Sequence, residues 1–305
     1  MLDVPRRAAA LVLAAALAGW AVPPAAAQEV DPATVTIETV PLAGGVSMLV
    51  GRGGNIGVSA GPDGVFLVDD QYAPLTDKIR AAVAAIDPGP IRFVLNTHWH
   101  GDHTGGNENL GKAGALIVAH DNVRVRMSTE QFIARFDRTV PPSPAAALPV
   151  VTFGADVTFH LNGDEIHAFH VPPAHTDGDS VVHFKKADVI HAGDLFFNGG
   201  YPFVDLSSGG DFPGVLAAVE RILELAGEGT KIIPGHGALA SRADLVRYRD
   251  MLAASRDAVA ALIAQGKSRD EVIAARPTAA TDEVWGGGFI QADYFVGTIY
   301  DSLTR

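Results

Sequence analysis

Residues 91–106, IRFVLNTHWHGDHTGG, run from a continuous apolar stretch straight into a polar cluster in which His98, His100, Asp102 and His103 fall within six positions. The apolar part reads as a buried strand, so the cluster sits at a strand end. A chain that only had to fold would gain nothing from this density, because each side chain must be hydrated or paired once it is buried. Three imidazoles and a carboxylate have one natural common partner, a metal ion. In an extended loop, residues two apart project to the same side. His98 and His100 can therefore serve one ion while Asp102 and His103 turn toward a second.

Each ion needs about four ligands, so the rest must come from elsewhere in the chain. Three candidates stand on short polar turns after strand-like runs: His175 in PPAHTDGDS, Asp194 in HAGDLFFNGG and His236 in IIPGHGA. The expected assignment is His98, His100 and His175 for the first metal, Asp102, His103 and His236 for the second, and Asp194 as a carboxylate bridge. A lone loop histidine is ordinarily a solvated or packing residue; the ordered combination is what carries the reading. The chain has no cysteine, so any ion must be held by nitrogen and oxygen. That donor set suits zinc best, with iron or manganese admissible.

The remaining pattern bounds the fold. VTIETV, VSMLVG and NIGVSA are short β-branched runs, and the GPDG turn leads into VFLVDD. A helical period over 74–86 stops at Asp87-Pro88-Gly89-Pro90. Strands are then expected at 91–96 and 115–120, a helix over 121–136, a Pro-rich loop at 141–149, and strands near 151–153, 157–161, 165–171, 180–184 and 188–192. A helix at 213–227, the strand KIIPGHG and helices over 240–265 and 268–275 follow. The tail sets Phe295, Ile299 and Leu303 at helical spacing, to cap the core or, less readily, to form a dimer face. Two groups of strands, each followed by helices, make an α/β αββα sandwich with C-terminal helices.

At the N-terminus, Arg6 and Arg7 precede an uncharged apolar run from Ala8 to Val22 and small residues ending at Ala27. This reads as a secretory signal over 1–27, by the general or the twin-arginine route, leaving 28–305 as a single domain in the periplasm or outside the cell. The apolar run is shorter than the roughly 20 residues a membrane span needs, so no stable anchor is expected after cleavage. Without residues 1–27 the chain holds 21 Lys+Arg against 34 Asp+Glu, a formal charge of −13. Such a surface repels phosphate backbones, which argues against a nucleic-acid partner and for a small molecule. Oligomeric state is not legible.

The chain resembles the metallo-β-lactamase superfamily of hydrolases from about residue 35 to 245. THWHGDH is that superfamily's hallmark, and FLVDD, AHTDGDS, AGDLFF and IPGHG follow in the order of its other motifs. The resemblance implies that Asp69 in FLVDD supports the metal loop from behind, since such carboxylates orient ligating imidazoles. It also implies a hydroxide generated between two zinc ions, which needs no side-chain nucleophile. Asp102 would orient that hydroxide and move its proton. The bond cleaved would be amide-like, ester or thioester.

Asp194 matches the bridging aspartate of the superfamily's thioesterase and lactonase branches, where the β-lactamase branch with a cysteine carries a thiolate. That branch also has a lysine three residues later; here the position is Phe197, and no Lys or Arg occurs from Ala187 to Glu220. The loop offers Phe196, Phe197, Tyr201 and Phe203 instead, so Phe197, with Asn198 or Tyr201 as a donor, is expected to line a largely apolar pocket. A β-lactam or a lactone is the first expectation for substrate. The alternatives are a glyoxalase-II-like thioesterase, weakened by the missing cations, and a mononuclear-iron oxidoreductase of the same fold.

Overall fold

The β-branched runs after residue 35 pair as an antiparallel meander, Glu38–Pro41, Val46–Val50, Ile56–Ser59 and Val65–Val68. From there the chain changes mode. Val65–Val68 lies parallel to Ile91–Leu95, which lies parallel to Leu116–His120, which in turn is parallel to Val151–Phe153. Parallel neighbours need a crossover long enough to return the chain, and helices Thr76–Ile86 and Asn107–Lys112 provide two of them. These seven strands form one sheet in a computed structural model that describes residues 31–305. The expected signal segment, 1–27, lies outside the described residues.

A second sheet of six strands begins with Asp156–Leu161 and Asp164–His170, continues through Ser180–Phe184 and Val189–Asn198, and ends with Lys231–Gly237 and Ala240–Ser241. The sheets meet face to face. Val46, Met48, Phe66, Val68, Leu95 and Val118 from the first interlock with Ile166, Ala168, Val182, Phe184, Val189 and Ile233 from the second. Full burial of each such side chain contributes about 1.5–3 kcal/mol. All four residues of Val65–Val68 are buried, so with alternation Val65 and Leu67 bury on the outer face, where a helix layer belongs. Helices Phe212–Leu225 and Arg242–Ala264 cover the second sheet, and Ala292–Leu303 packs on both of them, burying Phe295 and Ile299. The αββα sandwich with C-terminal helices is therefore the observed architecture.

One element departs from expectation. The helix read over 121–136 ends at Met127, and residues 131–133 and 138–140 form an antiparallel hairpin. Val125, Phe132 and Phe136 recur at steps of seven and four, a helical spacing, which is why the pattern misleads. Locally, the hydroxyls of Ser128 and Thr129 bond the carbonyls of Arg124 and Val125 and close the helix end. Asp137 then adopts φ 47°, a left-handed turn conformation. A smaller departure is the strand expected at 188–192, which runs on to Asn198 with register shifts on either side of Gly193.

Candidate metal centre

Strands Val65–Val68, Ile91–Leu95 and Leu116–His120 run parallel and so end at one edge of the first sheet. Asp69 and the histidine run leave from that edge, the place where open α/β sheets put their ligands. The loop through His98 and His100 is extended at His100, then closes into a helical turn, Gly101–Thr104, which presents Asp102 and His103. From the second sheet, the irregular register after Gly193 turns Asp194 toward the same point, and the neighbouring strand delivers His236. His175 arrives on the loop before Ser180–Phe184.

The seven side chains converge. Donor atoms of His98, His100 and His175 lie within 4.8 Å of one another, as do those of His98, His103 and Asp194, and those of Asp102, His103 and His236. His175 Nε2 is 2.9 Å from His100 Nδ1. One oxygen of Asp194 lies 3.6 Å from His175 Nε2 and 3.4 Å from His236 Nε2, so this carboxylate stands between the two triads. The second triad is tied by Asp102 Oδ2, 3.4 Å from His236 Nε2 and 3.7 Å from His103 Nε2.

What fixes the imidazoles is the bonding of their outer nitrogens. His103 Nδ1 donates to Asp69 Oδ2 at 2.8 Å, His175 Nδ1 to the Phe203 carbonyl at 2.6 Å, and His100 Nε2 to Asp205 Oδ2 at 3.0 Å. For His98 the acceptor is Thr97 Oγ1 at 3.0 Å, whose own hydrogen is committed to Asp69 Oδ2 at 2.8 Å. Each of these four rings, in its neutral form, therefore points a nitrogen lone pair at the centre. His98 Nε2 is buried without any hydrogen-bond partner, a costly condition for a polar atom unless something else binds it. The residues present fit a pair of divalent cations: four oriented nitrogens, His236 and two carboxylates, with no sulfur.

The electrostatics agree. Burial, reinforced by neighbouring His103 and His175, holds the His98 pKa well below its usual range, and burial takes His175 down to about 4. Burial opposes charge on His103 and His236 too, but Asp194 and Asp102 outweigh it, raising His103 well above the ordinary value and His236 to about 9. Burial likewise disfavours charge on Asp194 and Asp102, yet His103 and His236 hold both below the usual carboxylate range. Two anionic groups inside a buried site thus demand positive charge from whatever shares it.

Glycines make room for this crowding. A Cβ on Gly54 would stand 2.1 Å from the His103 ring, and one on Gly235 would stand 2.0 Å from Asp194 Oδ1. Asp69 itself adopts φ 64°, and its Oδ1 also accepts the Thr97 amide at 2.7 Å.

The pocket residues expected from sequence fare unevenly. Phe197 is in the site's wall, stacked on His236 at 5.1 Å. Asn198 is turned to the Ala238 carbonyl, to which its amide donates at 2.9 Å. Tyr201 is corrected: its hydroxyl bonds Thr281 and Asp282 and its ring stacks on Phe295, so it anchors the C-terminal helices and donates nothing to the site. Sequence reasoning missed Asp205, whose signal was the pair of serines at 207 and 208 that its carboxylate binds in a tight turn. It also missed Thr97, whose hydroxyl stands between His98 Nδ1 and Asp69.

A hydroxyacylglutathione hydrolase from Nitrosococcus oceani is 28% identical over 199 residues, covering 65% of this chain and 66% of that protein. A second, from Polaromonas, is 29% identical over 169 residues and is covered over 55% of its length. The chain thus spans between about half and two thirds of these relatives. Among solved structures, a metallo-beta-lactamase from Pontibacter korlensis superposes with TM-score 0.58 at 18% identity, over 71% of this chain and 99% of that one. A double mutant of the sec-alkyl sulfatase PisA1 superposes with TM-score 0.66 at 16% identity, over 88% of this chain and 50% of the other. A sequence model described as the metallo-beta-lactamase superfamily matches residues 49–245, well over half the chain, and the protein belongs to that superfamily.

Proposed function

We propose that the protein is a dinuclear metal hydrolase of acyl thioesters or esters, with zinc as the resident ion. The observation that carries this reading is the Asp194 carboxylate lying between the triads His98, His100, His175 and Asp102, His103, His236, the donor atoms of each triad lying within 4.8 Å of one another. When bound there, two divalent cations supply Lewis acidity toward a carbonyl and a water acidic enough to lose its proton near pH 7.

The chain's own part is positioning and proton handling. Asp69, Thr97, Asp205 and the Phe203 carbonyl hold four rings in the ligating tautomer. Asp102 is the most exposed of the carboxylates facing the centre, at 24%, and the carboxylate oxygen not needed as a ligand would accept a proton from the attacking water. Phe197 on His236, and Phe203 on His100, keep bulk water off the outer faces of two ligands.

Hydroxyacylglutathione hydrolases among the relatives favour a thioester over the β-lactam or lactone first expected from sequence. The absence of Lys or Arg from Ala187 to Glu220 favours an acyl group of little charge. The sequence of residues 1–27 supports export, with a site of action outside the cytoplasm. The test is hydrolysis of a thioester, an aryl ester, a lactone and a chromogenic cephalosporin by one preparation. Thioester or ester turnover that a chelator abolishes and zinc restores is the expected result. Cephalosporin turnover exceeding both would overturn the substrate assignment, and iron with no hydrolysis would overturn the reaction.

A further inference from the structure

Phe203 is both a wall of the metal centre and the floor of an aromatic surface. Its ring stacks on His100 at 5.8 Å and meets His175 edge-on at 5.7 Å, and it is 5% exposed. On its other flanks it meets Phe136 at 5.6 Å and Phe289 at 6.5 Å, and those two rings lie 5.7 Å apart. Phe136 is 43% exposed and Phe289 61%. An unbroken aromatic bed thus runs from two candidate ligands out to solvent.

Its edge carries a second unfilled feature. Arg135, beside Phe136, lies with its guanidinium 4.4 Å over the Tyr294 ring, which is 6.5 Å from Phe203. Its Nε is buried with no acceptor, and among the described residues no carboxylate lies within ion-pair distance of it. A buried guanidinium nitrogen without a partner is rare in a finished protein surface. Phe136 belongs to the 131–140 hairpin and Phe289 lies beyond the segment matched by the superfamily, 49–245. One ring of the bed, Phe289, therefore comes from outside the matched segment, and the other two come from within it.

We propose that the Phe136–Phe203–Phe289 bed seats an apolar, ring-bearing acyl group of the substrate, with the reacting carbonyl beside His100 and the distal end toward Arg135. This rests on the hydrolase reading above and narrows its substrate class. Two exposed rings beside a buried one offer the edge and face contacts that aromatic groups prefer, and a small acyl group such as acetyl would leave them uncovered.

The test compares acetyl and phenylacetyl thioesters of one thiol, so that only the acyl group changes, with wild type and the F136A/F289A double variant. Both side chains are substantially exposed, so folding is retained. Wild type is expected to favour phenylacetyl by about tenfold or more in kcat/KM, through KM. The double variant should lose most of that preference, its kcat/KM falling at least several-fold more for phenylacetyl than for acetyl. No preference in wild type, or a preference that survives the double substitution, overturns the proposal. If neither thioester is hydrolysed, the function reading fails, and the bed is judged by calorimetric binding of phenylacetate. Binding tenfold weaker in the double variant supports it, and equal binding overturns it. A wild-type dimer that becomes monomeric in the variant also overturns it, because the bed would then be a subunit contact.

Discussion

Replacing Asp69 by asparagine changes one oxygen to an NH2 group, yet it should disable both halves of the metal centre. Asp69 accepts three hydrogen bonds, from Thr97 N at 2.7 Å, Thr97 Oγ1 at 2.8 Å and His103 Nδ1 at 2.8 Å. Asparagine can keep the amide bond through its carbonyl oxygen, but its nitrogen must then face Thr97 Oγ1 and His103 Nδ1. To avoid two donors in opposition, His103 shifts its proton to Nε2, the atom that faces Asp194 at 3.1 Å. Thr97 Oγ1, now an acceptor from the asparagine, turns its hydrogen to His98 Nδ1, and His98 also becomes protonated at Nε2. One ring of each triad then offers a proton where a cation needs a lone pair.

Loss of such supporting partners typically costs 10- to 100-fold in metal affinity, about 1.4–2.8 kcal/mol. Here both ions should be affected, because His98 and His103 belong to different triads. Competition against a chromophoric chelator measures the two affinities, and 15N spectra of the metal-free protein report the tautomer of His98, whose pKa is lowered so that the ring is neutral. Asp69→Asn protein that binds both ions within threefold of wild type, with His98 still protonated at Nδ1, would contradict this coupling.

Asp205→Asn should act on the first triad alone: an amide nitrogen facing His100 Nε2 is expected to weaken one ion by about tenfold or more and spare the other, as the same competition assay reads. Gly54→Ala places a methyl 2.1 Å from the His103 ring; overpacking of this kind costs about 1–3 kcal/mol, and the variant should lose about one metal equivalent by elemental analysis. For pH dependence, cation binding must expel the proton of His236, whose pKa is raised to about 9 in the metal-free protein. Apparent affinity should therefore rise with pH between about 6.5 and 9, measured by calorimetry in buffers of different ionisation heat. The sign for stability is opposite: a raised folded pKa stabilises the metal-free protein most below about 6.5, and that contribution is lost as pH climbs through about 9. A metal-free melting temperature that instead increased over that interval would contradict the pairing of His236 with Asp102 and Asp194.

The sequence was most legible where ligands are local. His98, His100, Asp102 and His103 are fixed by one loop, and Asp194 and His236 by strands long enough to be read from their β-branched residues. The αββα layering followed from the same strands. Partners set by distant chain were not legible: Asp205 reaches His100 across 105 positions and Asn55 holds His191 across 136. The hairpin at 131–140 was hidden because its apolar residues keep a spacing that a helix would also show. Tyr201 was misassigned for a related reason. Phe197 and Phe203 on either side of it face the site, but the direction of a side chain after Gly199-Gly200 is set by backbone angles that composition does not reveal.

Seven side chains from two sheets are proposed to hold two cations about one carboxylate. Elemental mass spectrometry on purified protein, wild type beside Asp194→Ala, tests this most directly. Two zinc ions per chain in wild type, with retention of both failing in the variant, is the expected result. A single ion per chain that survives removal of the Asp194 carboxylate would contradict it.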